Sequence, residues 1–159
     1  AAMQGKANPA AIEAVQASMD LSNAVAARVF NDAGAHAMTD VTGFGLIGHL
    51  GEMLRASGCG VSLNLDHVPL FPQTAELFGV VQSSLQQADE LALQDFELKG
   101  VRNFAEPAMR AMADPQTSGG LLACVPENEA QDCLAELIAL GYDAVDIGEV
   151  MPAQTWVIR

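Results

Sequence analysis

A chain of 159 residues with 20 acidic and 7 basic side chains carries a formal net charge of −13. That balance opposes nucleic acid and anionic membrane surfaces as partners, because both need Lys and Arg to neutralise phosphates; no apolar run approaches the roughly 20 residues of a membrane span either. Apolar residues make up 50% of the chain and aromatics only 5%, so the core must be Leu, Val, Ile, Met and Ala, in one domain burying roughly 68–70% of its unfolded surface.

Asn8 is placed to cap a helix whose first position is Pro9. Ile12, Val15, Met19, Ser22, Ala26 and Val29 follow at spacings of three and four, one stripe of an amphipathic helix ending near Phe30. Asp20 could restart it as a second cap. Residues 31–34, Asn-Asp-Ala-Gly, read as a turn. Residues 35–41 read as a strand. Residues 45–57 read as a helix with Leu46, Ile47, Leu50 and Leu54 inward and Gly58 as its stop. Val61, Leu63 and Leu65 alternate as a half-buried strand, so 35–66 is expected to form a β-α-β unit. Pro69 and Pro72 bracket a turn. Residues 73–79 and 84–94 read as short helices, 99–103 as a loop and 105–113 as a helix. A second unit follows: a strand at 120–125, then a helix at 127–140 with Leu134, Leu137 and Ile138 inward and Gly141 as its stop. Strands at 144–147 and 155–158 close the chain. The expected fold is α+β, a small mixed sheet covered by helices, with two β-α-β-like units around a helical insert.

Cys59, Cys124 and Cys133 are scattered and form no CxxC. They fit a reduced, cytoplasmic setting, with Cys124 and Cys133 as small buried hydrophobes. Lys6 precedes no apolar stretch of signal-peptide type. The chain opens on Ala1 and enters a helix within a few residues, and is expected to be a fragment of a larger protein.

Two glycine turns carry the chemistry. Thr39-Asp40-Val41-Thr42-Gly43-Phe44-Gly45 sets a carboxylate where a strand ends and a helix opens, a place where backbone N–H groups face anions. A carboxylate there would repel a bare phosphate, so it points to a phosphate chelated by a metal. The alternative is that Asp40 caps the turn and that Thr39 and Thr42 satisfy local backbone. Gly43-Phe44-Gly45-Leu46-Ile47-Gly48 also matches G-x-G-x-x-G, with Asp66 near the place of a ribose-binding acid. Against that dinucleotide reading stand the charge of Asp40 and the lack of further β-α units after Asp66. His36, His49 and His67 have no zincin or finger spacing and are read as structural or surface histidines. No G-x-S-x-G elbow or P-loop occurs. The second turn, Asp114-Pro115-Gln116-Thr117-Ser118-Gly119-Gly120, is rich in Asx and Ser/Thr turn chemistry, and its glycines would let another backbone approach closely.

Together the two turns resemble selenophosphate synthetase (selenide, water dikinase). The likeness runs through Ala37-Met38, the first turn, Leu46-Ile47-Gly48-His49-Leu50 and Glu52-Met53, then through the second turn and Leu121-Leu122. Ser18-Met19, Asn23 and Ile147-Gly148-Glu149-Val150 extend it over nearly the whole chain. The match is to the C-terminal half of the family, so residues 1–159 are expected to form a single domain whose N-terminal catalytic half is absent. Related ATP-binding enzymes of purine, thiamine and hydrogenase-maturation pathways share that fold but not this pair of turns.

The resemblance implies conversion of selenide, ATP and water to selenophosphate, AMP and phosphate, with Mg²⁺ bridging ATP phosphates to Asp carboxylates. It implies Asp40 as the metal ligand here, with Thr39, Thr42 and Gly43 toward the nucleotide. It implies a homodimer formed through the N-terminal halves. The family's reactive Cys or selenocysteine, its Lys and most of its Asp ligands belong to a glycine-rich N-terminal segment, so no catalytic residue is assigned to this chain and the fragment alone is expected to be inactive. Where the family often has Pro-Gly-Gly-Thr before Arg-Asn, this chain has Leu98-Lys99-Gly100-Val101 before Arg102-Asn103. Another ATP-dependent synthetase or kinase of the superfamily, and a non-enzymatic module retaining the fold, are the other readings.

Overall fold

Asn8 accepts a hydrogen bond on Oδ1 from the Ala10 N–H at 2.8 Å, and Pro9 opens helix α1 (Pro9–Met19) as its ring geometry favours. Asp20 ends that helix and does not restart it. The next helix, α2 (Ala24–Asp32), begins after Asn23. The cause of the break is tertiary. Ser118 Oγ donates to Met19 O at 3.2 Å, Tyr142 Oη to Ser22 O at 2.7 Å, and Asn23 Nδ2 to Gly119 O at 2.9 Å. Carbonyls that would continue a helix are instead held by the second glycine turn and the end of the last helix.

The computed structural model describes residues 1–72, 74–81, 91–100 and 106–159. After α2 come strand β1 (Ala37–Asp40), helix α3 (Gly45–Ser57) and strand β2 (Gly60–Leu63). Gly58 closes α3 in the left-handed region, at φ 65°, as expected of its stop residue. Short 3₁₀ turns cover Ala2–Gln4, Leu65–His67, Ala75–Gly79 and Leu91–Asp95. The expected helix at 73–79 is therefore a tighter turn, and most of the one at 84–94 lies outside the described residues, as does much of the 99–103 loop. Strand β3 (Glu97–Leu98), helix α4 (Pro107–Met112), strand β4 (Leu121–Cys124), helix α5 (Glu127–Ala139) and strands β5 (Gly148–Met151) and β6 (Trp156–Ile158) complete the described elements. Among the described residues no helix is long and apolar enough to cross a membrane.

The α+β class is borne out, but the strands fall into two sheets. β1 pairs antiparallel with β4, and a separate four-stranded sheet runs β3-β6-β2-β5. In it β2 pairs antiparallel with β5 and parallel with β6, which is parallel to β3. Neither β1 and β2 nor β4 and β5 therefore form the two expected β-α-β units within one sheet. The strand expected at 144–147 is shifted to β5. Asp146 Oδ1 accepts from Gly148 N–H at 3.0 Å and Asn64 N–H donates to Ile147 O at 2.8 Å, so regular pairing with β2 starts only at Gly148.

One core lies between α3 and the larger sheet. Ile47, Leu50 and Leu54 meet Val61, Leu63 and Ile158, with Leu65, Leu93, Phe96, Met109 and Met112 completing it. A second core joins Ala26 and Val29 of α2 to Cys133 and Leu137 of α5. The buried face of α5 is thus Cys133 and Leu137, one turn apart, while Ile138, expected inward, is 56% exposed. Burial raises the thiol pKa of both Cys124 and Cys133, which keeps them neutral as packing residues. Cys133 is buried as expected and Cys124 half-buried; both are free, like Cys59.

Candidate functional site

The two glycine turns, residues 39–45 and 114–120, form one structure. β1 ends with Thr39 opposite Leu122 and Asp40 opposite Leu121. The ladder then continues into the turns, as Val41 N–H donates to Gly120 O at 2.9 Å and Gln116 N–H donates to Thr42 O at 3.0 Å. Gly119 lies so close that a Cβ there would sit 2.0 Å from Val41 O. Only a glycine permits that approach. Gly45 has φ 63°, and a Cβ on it would meet Met112 O at 2.8 Å, so the first turn of α3 is pressed against the end of α4.

The Asp40 side is exposed, as are Gly43 and Phe44. Gly45 N–H donates to Thr42 O at 3.0 Å and closes the turn, but among the described residues nothing accepts from the N–H groups of Gly43 and Phe44. They stand at the N-terminus of a 13-residue helix, where the partial positive charge of the helix favours anions. Thr39 Oγ1 donates to Asp40 O at 3.2 Å. Thr42 Oγ1 lies 3.1 Å from Nε2 of His49, a buried histidine whose Nδ1 is 3.5 Å from Glu52 Oε2. The Phe44 ring covers that imidazole, with centroids 5.4 Å apart.

On the second turn, Gln116 Nε2 donates to Asp114 O at 3.1 Å and to Asp114 Oδ2 at 2.9 Å. Burial raises the Asp114 carboxyl above its ordinary pKa, and the Gln116 hydrogen bond only partly opposes it. This carboxylate braces the turn from within, whereas Asp40 faces outward.

The other residues flagged from sequence are dispersed. His36 is exposed just before β1, with its N–H donating to Cys124 O at 2.8 Å. His67 Nδ1 lies 2.9 Å from Asp146 O, and Asp66 sits in the adjoining 3₁₀ turn. Among the described residues no three His, Cys, Asp or Glu side chains converge as a metal site. A dinucleotide fold requires the strands flanking its glycine turn to be parallel members of one sheet. Here they belong to different sheets, which removes that reading of the G-x-G-x-x-G match.

Residues 4–158 match the family model described as AIR synthase related protein, C-terminal domain. The chain belongs to that family. Over 144 residues it is 39% identical to a selenide, water dikinase of Pelobacter propionicus, an alignment covering 87% of this chain and 40% of that protein. It is 38% identical over 162 residues to a selenide, water dikinase of Desulfitobacterium hafniense, covering 99% of this chain and 46% of the relative. The chain thus spans less than half the length of these curated relatives. The crystal structure of Escherichia coli HypE has a TM-score of 0.61 and 23% identity, covering 89% of this chain and 36% of that one, a likeness of fold. The resemblance read from the two turns is borne out.

Sequence reasoning did not anticipate the links around the turns. Asn23 was legible only as part of the resemblance, and its amide proves to hold Gly119 O. The engagement of His49 by Thr42 had a faint local signal, since residues 42 and 49 straddle a turn and the first helical turns. The Asp114–Gln116 brace follows from the Asx chemistry of the second turn.

Proposed function

We propose that this chain is the C-terminal domain of an ATP-dependent selenophosphate synthetase, with residues 1–159 forming a single domain and one wall of a Mg-ATP site. The observation that carries the reading is the first turn. An exposed carboxylate, Asp40, shares the turn with the N–H groups of Gly43 and Phe44, which nothing engages among the described residues, and the turn is held in place by Gln116, Gly119 and Gly120. A hard carboxylate oxygen suits Mg²⁺, and helix N-terminal N–H groups suit phosphate oxygens. When bound, Mg²⁺ neutralises the phosphates during transfer. Asp40 supplies one ligand from this chain, Gly43 and Phe44 orient a phosphate, and Thr39 and Thr42 shape the lip of the turn. With a net charge of −13, this chain takes a polyphosphate only with a cation or a basic partner domain beside it.

The remaining ligands and the reactive residues come, in this reading, from the protein's own N-terminal half, with ATP and selenide as substrates, in a cytoplasmic homodimer. The relatives' printed name, selenide, water dikinase, supplies the reaction. In the intact protein Asp40→Ala is expected to cut selenide-dependent ATP consumption about 100-fold or more. Because Asp40 is exposed, unfolding stability should change by no more than about 0.5 kcal/mol. Turnover near that of the unsubstituted protein would remove the ligand role. The 159-residue chain alone is expected to show no heat of binding in a Mg-ATP titration, and micromolar binding would contradict the shared-site arrangement.

A further inference from the structure

The Thr42–His49–Glu52 chain assigns a direction to a hydroxyl that sequence leaves ambiguous. A threonine hydroxyl in a phosphate-facing turn is ordinarily a donor to a phosphate oxygen. Here Oγ1 has a buried neighbour, His49 Nε2, at 3.1 Å. Which partner donates depends on the imidazole tautomer, and the tautomer is set by what the other ring nitrogen faces. Nδ1 faces the Glu52 carboxylate at 3.5 Å. A carboxylate only accepts, so the tautomer it favours carries the ring proton on Nδ1 and leaves Nε2 bare. In that tautomer Nε2 accepts, the Thr42 hydroxyl hydrogen points into the protein, and the hydroxyl offers only oxygen lone pairs to any group outside. The Phe44 ring lies against the imidazole and His49 is 8% exposed, so water competes poorly for Nε2.

We propose that Glu52 and His49 act as positioning residues that turn Thr42 into a hydrogen-bond acceptor, so that its oxygen serves the cation side of the turn, with Asp40, and not the phosphate side. The arrangement separates the two tasks on one short segment. Phosphate oxygens would meet the N–H groups of Gly43 and Phe44, and a cation would be held by oxygen from residues 40 and 42. The cation half of this inference rests on the proposed Mg-ATP reading; the hydroxyl direction does not.

The hydroxyl direction is tested first, on the intact, unsubstituted protein with ¹⁵N-labelled histidine, by long-range ¹H–¹⁵N correlation at a pH where the ring is neutral. His49 should give a protonated, pyrrole-type signal from Nδ1 and a pyridine-type signal from Nε2. A protonated Nε2 would overturn the proposal whatever the protein's reaction. The cation half is tested by equilibrium binding of Mn²⁺ in the presence of ADP, followed by electron paramagnetic resonance. Thr42→Val, which removes the oxygen, should weaken Mn²⁺ binding on the order of tenfold; His49→Leu, which keeps the oxygen but frees the hydroxyl to turn, should weaken it less, and His49→Gln, which restores an acceptor near the Nε2 position, should recover part of that loss. If Thr42→Val leaves Mn²⁺ affinity unchanged while weakening ADP binding without metal, the hydroxyl is a phosphate donor and the proposal is wrong. Asp40→Ala in the same assay separates the two ideas. Unchanged Mn²⁺ affinity there, beside a pyrrole-type Nδ1, would refute the metal-site reading and the cation role of Thr42 while leaving the hydroxyl direction standing.

Discussion

Gly119→Ala probes the joint between the two turns more directly than any other substitution. The new methyl would start 2.0 Å from Val41 O and 3.1 Å from Val41 C, both backbone atoms, so no side-chain rotation relieves the clash. Reaching ordinary contact at 3.4 Å requires the turns to part by roughly 1.4 Å, enough to stretch the hydrogen bonds of Val41 to Gly120 and Gln116 to Thr42 beyond useful length. Overpacking of this kind costs about 1–3 kcal/mol, and each of the two lost bonds adds about 0.5–1.5 kcal/mol, so a total of about 2–6 kcal/mol is expected. For a chain of this size that is a fall in Tm of roughly 4–24 °C. Gly120→Ala is the control, since a Cβ there meets nothing within 4 Å, and it should move stability by no more than about 0.5 kcal/mol. Urea unfolding followed by circular dichroism measures both. Equal stability of the two variants would refute the claim that close approach at residue 119 holds the turns together.

Asp114 gives a pH signature. Because burial raises its carboxyl pKa above the ordinary 3.8, the folded chain holds that proton more tightly than the unfolded chain. Its stabilising contribution is therefore complete below the unfolded value and is lost as pH rises through the folded one. Asp114→Asn keeps an oxygen acceptor for Gln116 and carries no charge, so its stability relative to the unsubstituted chain should improve as pH rises from about 3 to 7; a difference that does not vary with pH contradicts the assignment. Arg55 pairs with Asp95 at the surface and lies over the Trp156 ring, its guanidinium carbon 5.0 Å from the centroid. Asp95→Ala should cost less than about 1 kcal/mol. Arg55→Ala should cost more, by about 0.5–1 kcal/mol for the lost ring contact, and should also shift the emission of Trp156, the single tryptophan. Identical effects of the two would show that the ring contact contributes nothing.

Much of this molecule was legible in its residues because the determining contacts are short-range. Asn8 and Pro9 start a helix through atoms two residues apart, and Gly58 stops another through its own φ. The bounds of α3 follow from a glycine at each end. The two glycine turns were recognisable because their chemistry is written in seven consecutive residues each. What tertiary structure alone decided was partnership. Backbone N–H and C=O groups are alike in every strand, so nothing local states that β1 joins β4 while β2 joins β5 and β6. The break after Met19 and the outward turn of Ile138 were likewise settled by groups distant in sequence. So was the meeting of Gly119 with Val41, which joins two loops into one lip with Asp40 on its exposed side.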